Sequence, residues 1–231
     1  MSSDAILRSP EQFPAEQATL MLRGVVGELE AMSDVPETGE DTVPAVAIIC
    51  HPRTEDGGTL HSKVVQMMER SLREMGLRTV RFNFRGVGAS AGKFDKGYGE
   101  TDDLLSVAGW VLKTCGDDEI WLAGYGFGCF VSVRAAQKLP IQYLISIAPP
   151  VAQYDFSVLP RPPCPWLVIQ GDEDEETNPD SVYQWAESMD EPPQLIKMQE
   201  AGHSFHRRLM DLRGVIKNGI RRQKQAPLKD N

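Results

Sequence analysis

Short apolar runs alternate along this chain with longer segments whose apolar residues recur every three to four positions. Ala45–Cys50, Thr79–Phe84, Glu119–Ala123, Tyr143–Ala148, Trp166–Gln170 and Gln194–Met198 read as strands. Several are nearly continuous in Val, Ile, Leu or Ala, the pattern of parallel strands buried on both faces. Ahead of them, Ala18–Arg23 and Val25–Ala31 predict an antiparallel pair. Helical periodicity fills the gaps. Ser62–Met75 places Val64, Val65, Met68, Leu72 and Met75 on one face, and Thr101–Thr114 offers Thr101 as N-cap with Asp102 and Asp103 in the first turn. Phe127–Leu139, Pro179–Met189 with its helix-initiating Pro, and Arg207–Arg222 with Leu209, Leu212, Val215, Ile216 and Ile220 complete the set. Strands alternating with helices predict an α/β fold. Its sheet is mostly parallel, twisted and doubly wound, with helices on both faces and antiparallel strands at the N-terminus.

A length of 231 residues suits one domain over 1–231, with 1–16 and 223–231 loose at its ends. Ser33–Pro44, rich in Asp, Glu, Pro and Gly, is a loose connection, and no repeat or low-complexity tract is visible. Pro149–Pro165 joins two strands and is too short to hold a large helical cap, so a site at the strand ends is expected to be open.

The net charge of -9 argues against nucleic acid as a partner, whose footprint is basic. Cys50, Cys115, Cys129 and Cys164 have no C-x-x-C spacing and read as reduced thiols of a cytoplasmic protein. Met1–Pro14 lacks the apolar core of a secretory signal, and no apolar run is long enough to span a membrane.

Candidate chemistry centres on Trp121–Phe130, which reads as a strand, a sharp turn and a helix start. Gly124-x-Gly126-x-Gly128 has the frame of a nucleophile elbow, G-x-S-x-G, with glycine at the serine position. Acyl transfer needs a nucleophile, a base, an acid that orients the base, and donors for the oxyanion. On strand–turn–helix scaffolds of this kind they follow in the order nucleophile, acid, base. Asp174, in Gly171-Asp172-Glu173-Asp174-Glu175 after a strand, is the acid candidate; the competing reading is a solvated acidic loop. His203 is the base candidate, between the strand Gln194–Met198 and the last helix, with His206 as a rival better suited to packing or capping. Oxyanion donors are expected from the N–H of Phe127 and from the loop Cys50–Gly58, where Arg53 or its neighbour stands in the right place. His51, before Pro52, is expected to brace that loop through its ring. No H-x-x-x-H pair or Cys/His cluster marks a metal site, and no cofactor is implied.

These segments resemble a bacterial group of small, lidless α/β-hydrolases related to dienelactone hydrolases and short-chain esterases. The resemblance runs from about Ala18 to Arg222. It rests on His51-Pro52 with Gly57-Gly58-Thr59, Arg81-Phe82-Asn83-Phe84-Arg85-Gly86-Val87-Gly88, Trp121–Gly128, Ile147-Ala148-Pro149-Pro150, Gly171-Asp172-x-Asp174-Glu175 and His203-x-Phe205-His206. It implies a serine carboxylesterase acting on small esters, with Asp174 and His203 as acid and base. Gly126 matches the group's serine and departs from it; Arg53-Thr54 and Ser204 depart as well. Three readings follow. The chain is a serine-to-glycine variant of a hydrolase, a non-catalytic relative that binds an acyl or ester-like ligand or a protein partner in the old pocket, or an enzyme that works through a water or another nucleophile.

Three further signals carry less. Gly86-x-Gly88-x-x-Ala91 fits a dinucleotide fingerprint but precedes loop rather than helix. Cys129, three residues past the elbow position, reads as a small buried thiol, and Cys50 likewise. The basic residues from Arg207 to Lys224 read as a solvated face of the last helix.

Overall fold

The structure is a computed structural model that describes residues 6–37 and 42–225. Nine strands form a single sheet in the order β1-β2-β3-β5-β4-β6-β7-β8-β9. In chain order they are β1 (Leu7–Arg8), β2 (Ala18–Arg23), β3 (Glu28–Asp34), β4 (Ala45–Cys50), β5 (Arg78–Phe82), β6 (Glu119–Tyr125), β7 (Ile141–Ile147), β8 (Trp166–Gly171) and β9 (Gln194–Met198). From β5 to the β9 edge every pairing is parallel; β3 lies antiparallel to both β2 and β5. Five helices cover the two faces: α1 (Lys63–Arg73), α2 (Tyr98–Cys115), α3 (Phe127–Ala136), α4 (Pro179–Glu187) and α5 (Leu209–Gln225).

The unbroken apolar run of β4 serves two cores at once. Successive side chains of a strand point to opposite faces. Val46, Ile48 and Cys50 join the cluster under α2 and α3, while Ala45, Ala47 and Ile49 join the cluster under α1 and α5. Each large aliphatic side chain so buried contributes roughly 1.5–3 kcal/mol. A polar residue at either parity would therefore damage a core, which is why the run carries none.

Two expectations shift in detail. The second N-terminal strand is Glu28–Asp34 rather than Val25–Ala31. A turn closed by the Gly24 N–H on the Gly27 carbonyl (2.8 Å) takes Val25 and Val26, leaving them 70% and 47% exposed. β3 then buries Leu29, Ala31 and Ser33, so Ser33 and Asp34 belong to the sheet and not to a loose connection; residues 38–41 of that connection lie outside those described. Helix α2 begins at Tyr98, before Thr101. The Glu100 carboxylate accepts from the N–H groups of Asp95 (2.8 Å) and Gly97 (2.7 Å), and Thr101 Oγ1 donates back to the Gly97 carbonyl (2.6 Å). Thr101 is thus an interior residue, and a glutamate does the capping.

The chain ends also carry structure. Leu7–Arg8 pairs in parallel with β2, and the Trp110 indole donates to the Pro10 carbonyl (2.9 Å). At the other end α5 continues through Gln223 to Gln225, and the rest of that tail lies outside the described residues. Asn178 caps α4 by accepting from Asp180 N–H (2.9 Å), ahead of Pro179 in the first turn. Between β7 and β8 the chain passes through turns without a helix, so no cap domain stands over the strand ends.

Candidate active site

Strand β6 stops at Tyr125 and α3 starts at Phe127, so one residue must reverse the chain. Gly126 does this at φ 54° and ψ -124°, a conformation that L residues rarely adopt. Its neighbours are glycine for steric reasons. A Cβ on Gly124 would overlap the carbonyl of Gly128, and one on Gly128 would overlap the carbonyl of Cys50. At Gly126 itself a Cβ meets no backbone carbonyl but fits only tightly. A Cβ there would lie 3.2 Å from Pro52 Cβ and 3.7 Å from His203 Nε2.

Asp174 and His203 meet beside that space, although they are remote in sequence. His203 Nδ1 stands 3.1 Å and 3.0 Å from the two carboxylate oxygens of Asp174. Both residues are buried, at 6% and 7% exposure. The turn after β8 fixes the carboxylate: Oδ1 accepts from the N–H groups of Glu176 (2.9 Å) and Thr177 (2.7 Å). Oδ2 accepts from the Gln170 amide (2.9 Å). Burial alone would raise the pKa of Asp174, but His203 and these donors outweigh it and hold it below the usual value. For His203, burial lowers the pKa, and the bond to Asp174 with the nearby carboxylates more than reverses that, leaving it raised.

The residue Tyr125 holds the imidazole from the other side. Its hydroxyl donates to the His203 carbonyl (3.1 Å) and its ring lies 5.1 Å from the imidazole. Glu175 accepts from the His203 N–H (3.2 Å), and Glu176 Oε2 stands 3.6 Å from Nε2. Sequence reasoning missed Tyr125, Gln170, Glu175 and Glu176. Gln170 alone left a signal, as the polar residue in an otherwise apolar strand.

The loop after β4 forms the opposite wall. His51 is fully buried; its Nδ1–H donates to the Pro52 carbonyl (2.6 Å), and its Nε2 accepts from the Phe84 N–H (3.0 Å). Burial drives its pKa down to about 4, so the ring stays neutral and keeps both bonds. Arg53 precedes a single turn, Thr54–Asp56, which Gly57 ends at φ 77°. A Cβ on Gly58 would overlap the Pro52 carbonyl, so the loop closes on itself only with glycine there. Phe127 occupies the first position of α3, where a backbone N–H has no acceptor within the helix and the helix dipole is positive. Its ring packs between Phe84 (5.7 Å) and Tyr154 (5.2 Å).

An open cleft of about 700 Å³ lies over these groups, bordered by Arg53, Gly126, Phe127, Tyr154, Glu176 and His203. His206 lines the cleft and is exposed, so it does not pack into the core as expected; the Asp174 carboxylate engages His203. Cys129 is buried and donates to the carbonyls of Gly124 (3.1 Å) and Ile147 (3.2 Å), with its thiol pKa pushed up by burial. Burial likewise pushes the Cys50 thiol up to about 12. Neither is an activated nucleophile. Among the described residues no group of three His, Cys, Asp or Glu side chains could hold a metal ion, and no helix is long and apolar enough to cross a membrane. Gly86 and Gly88 lie in a turn, and the next helix, α2, opens only at Tyr98, so the dinucleotide pattern has no phosphate-binding helix end at the turn.

No protein-family model matches the chain. A search of curated proteins finds the uncharacterized protein RP471 of Rickettsia prowazekii, 34% identical over 142 residues, covering 59% of this chain and 60% of that protein. The match thus spans less than two thirds of that relative's length. Among solved structures, XC6422 from Xanthomonas campestris, described as an α/β serine hydrolase without a lid, is 49% identical. It superposes at a TM-score of 0.90 over 96% of this chain and 100% of that one. An α/β serine hydrolase homologue from Coxiella burnetii is 39% identical, with a TM-score of 0.87 over 90% of this chain and 100% of its own. With its uncapped sheet and its elbow at the end of β6, the chain belongs to the lidless α/β serine hydrolases.

Proposed function

We propose that this chain carries an acyl-transfer site for small carboxylic esters that is complete except for its nucleophile. One observation carries the reading: a side chain at Gly126 would start 3.7 Å from His203 Nε2, within reach of a hydroxyl hydrogen bond. Asp174 is then the acid that orients His203, His203 the base, and the backbone N–H groups of Phe127 and Arg53 the oxyanion donors.

With serine at 126 the chemistry balances in two halves. Oγ attacks the ester carbonyl as His203 Nε2 takes its proton. The oxyanion rests on the two N–H groups, the C–O bond to the alcohol breaks, and the departing alkoxide takes the proton from Nε2. Water then repeats the sequence, releasing the acid and returning the proton to Oγ. Glycine has no atom to attack, so no acyl-enzyme forms. Losing the nucleophile of such a triad lowers the rate by about a millionfold and leaves roughly 10³–10⁴ over water.

The test is Gly126→Ser, assayed on short p-nitrophenyl esters beside the unaltered chain. Activity appearing in the serine form and near background in the glycine form is the expected result. Equal turnover in both would sink the reading, because the elbow would then be irrelevant. The intact Asp174–His203 pair over an open cleft favours one alternative, a scaffold that binds an acyl or ester-like ligand without turning it over. Inactivity of both forms with retained ligand binding would point there.

A further inference from the structure

Glu176 is the only carboxylate among the described residues lining the cleft, and it has no role in the acyl transfer outlined above. It follows Asp174 and Glu175 in the turn after β8, and its backbone N–H already serves the Asp174 carboxylate (2.9 Å). Its side chain goes the other way, into the cleft. Its side-chain exposure is 54%, and Oε2 stands 3.6 Å from His203 Nε2. The cleft's basic side chains come from other segments: Arg53 in the loop after β4, paired with Glu55 at 3.6 Å, and Lys63 at the start of α1.

The position of Glu176 has a chemical meaning. Nε2 is the atom that must hand its proton to the departing alkoxide, so the alcohol portion of an ester lies next to Nε2 when the C–O bond breaks. A carboxylate beside Nε2 is therefore beside the alcohol portion. The acyl oxygen, by contrast, faces the N–H groups of Phe127 and Arg53. The two ends of the bound ester thus meet opposite fields.

Resting on the acyl-transfer reading, we propose that Glu176 is a specificity-determining residue that selects esters of cationic alcohols, those bearing a protonated or quaternary amine a few bonds from the ester oxygen. The carboxylate attracts the cation in the bound substrate and repels an anionic alcohol portion. Because Glu176 is half exposed, the preference is modest, about three- to tenfold, and salt weakens it.

The probes are acetylcholine and 3,3-dimethylbutyl acetate, which share their shape and differ in charge. In Gly126→Ser the ratio of kcat/KM for the cationic over the neutral ester is expected at about three to ten, falling toward one as salt is raised to 1 M. Glu176→Gln in the same background brings the low-salt ratio close to one. In the unaltered chain, where turnover is expected near background, the same order is expected in binding followed by NMR. A serine form active on both esters with a ratio of one, or a ratio that survives Glu176→Gln, overturns the role of Glu176 and leaves the acyl-transfer reading standing. A serine form inactive on both, together with p-nitrophenyl esters, overturns the reading and this inference with it.

Discussion

The buried pair Asp174–His203 sets the pH behaviour of the site. His203 is raised above its ordinary 6.5, so the stability it contributes is present below pH 6.5 and fades as pH climbs through its folded value. Asp174 is lowered below 3.8, so its contribution is present above that pH and is lost as acid titrates the folded carboxylate. The pair therefore stabilises most between these limits. NMR titration of the His203 imidazole is expected to give a pKa above 6.5, and Asp174→Asn to lower it, since burial is then opposed only by Glu175 and Glu176. In the serine form the rate should rise with pH through the same pKa. An imidazole that titrates at 6.5 in both proteins would mean that the bond to Asp174 does not form in solution. At this scale the sequence was informative where chain order and strand ends decide. Gly126, Asp174 and His203 stand where those rules put them, and folding brings them together. Within Asp172–Glu176 the sequence was mute, because five consecutive residues of similar chemistry give no hint of direction. The turn buries Asp174, leaves Asp172 and Glu173 exposed, and turns Glu176 toward the cleft.

Between helices, a single carboxylate does much of the joining. Glu74, just past α1, accepts from Arg70 (3.0 Å) on its own helix and from Arg213 (2.7 Å) and Lys217 (3.0 Å) on α5. Part of the basic run on the last helix is thus a clamp on α1 and not a solvated face. A linear sequence could not reveal this, since the partners are 139 and 143 positions apart. Burial opposes ionisation of Glu74, but the three donors prevail and bring its pKa down to about 2. The clamp's contribution is accordingly full above about pH 4.5 and is lost as pH falls toward 2. Glu74→Gln is expected to cost roughly 1–2 kcal/mol, seen as a Tm lower by about 2–8 °C at pH 7. The deficit against the unaltered chain should shrink on acidification; a deficit that is constant with pH would show that packing, not charge, is what the glutamate supplies. Strand boundaries followed the same logic. Runs buried on both faces, such as β4, were legible to the residue, whereas β3 was displaced because Val25 and Val26 look like strand residues and sit in a turn.

Taken whole, the molecule is a sheet buried between two helical layers, and that much was readable from the alternation of apolar runs and helical periods. The open cleft was readable too, from the brevity of Pro149–Pro165. The shape of the cleft was readable only in part: the bracing of the loop after β4 by His51 was expected from the sequence and is found, whereas the way that loop folds back onto Gly58 leaves no pattern along the chain. The backbone at Gly126 links this architecture to durability. The end of β6, the start of α3 and the Pro52 loop surround Gly126 at φ 54°. For serine such a conformation costs on the order of 1–3 kcal/mol, while glycine adopts it with little strain. Gly126→Ser is therefore expected to unfold at lower urea than the unaltered chain, by about 1 kcal/mol or more; equal midpoints would mean that the surroundings absorb the strain. Turnover and longevity then pull position 126 in opposite directions. A serine would accept a weaker fold in exchange for an attacking hydroxyl, and a glycine keeps the tougher shell without one.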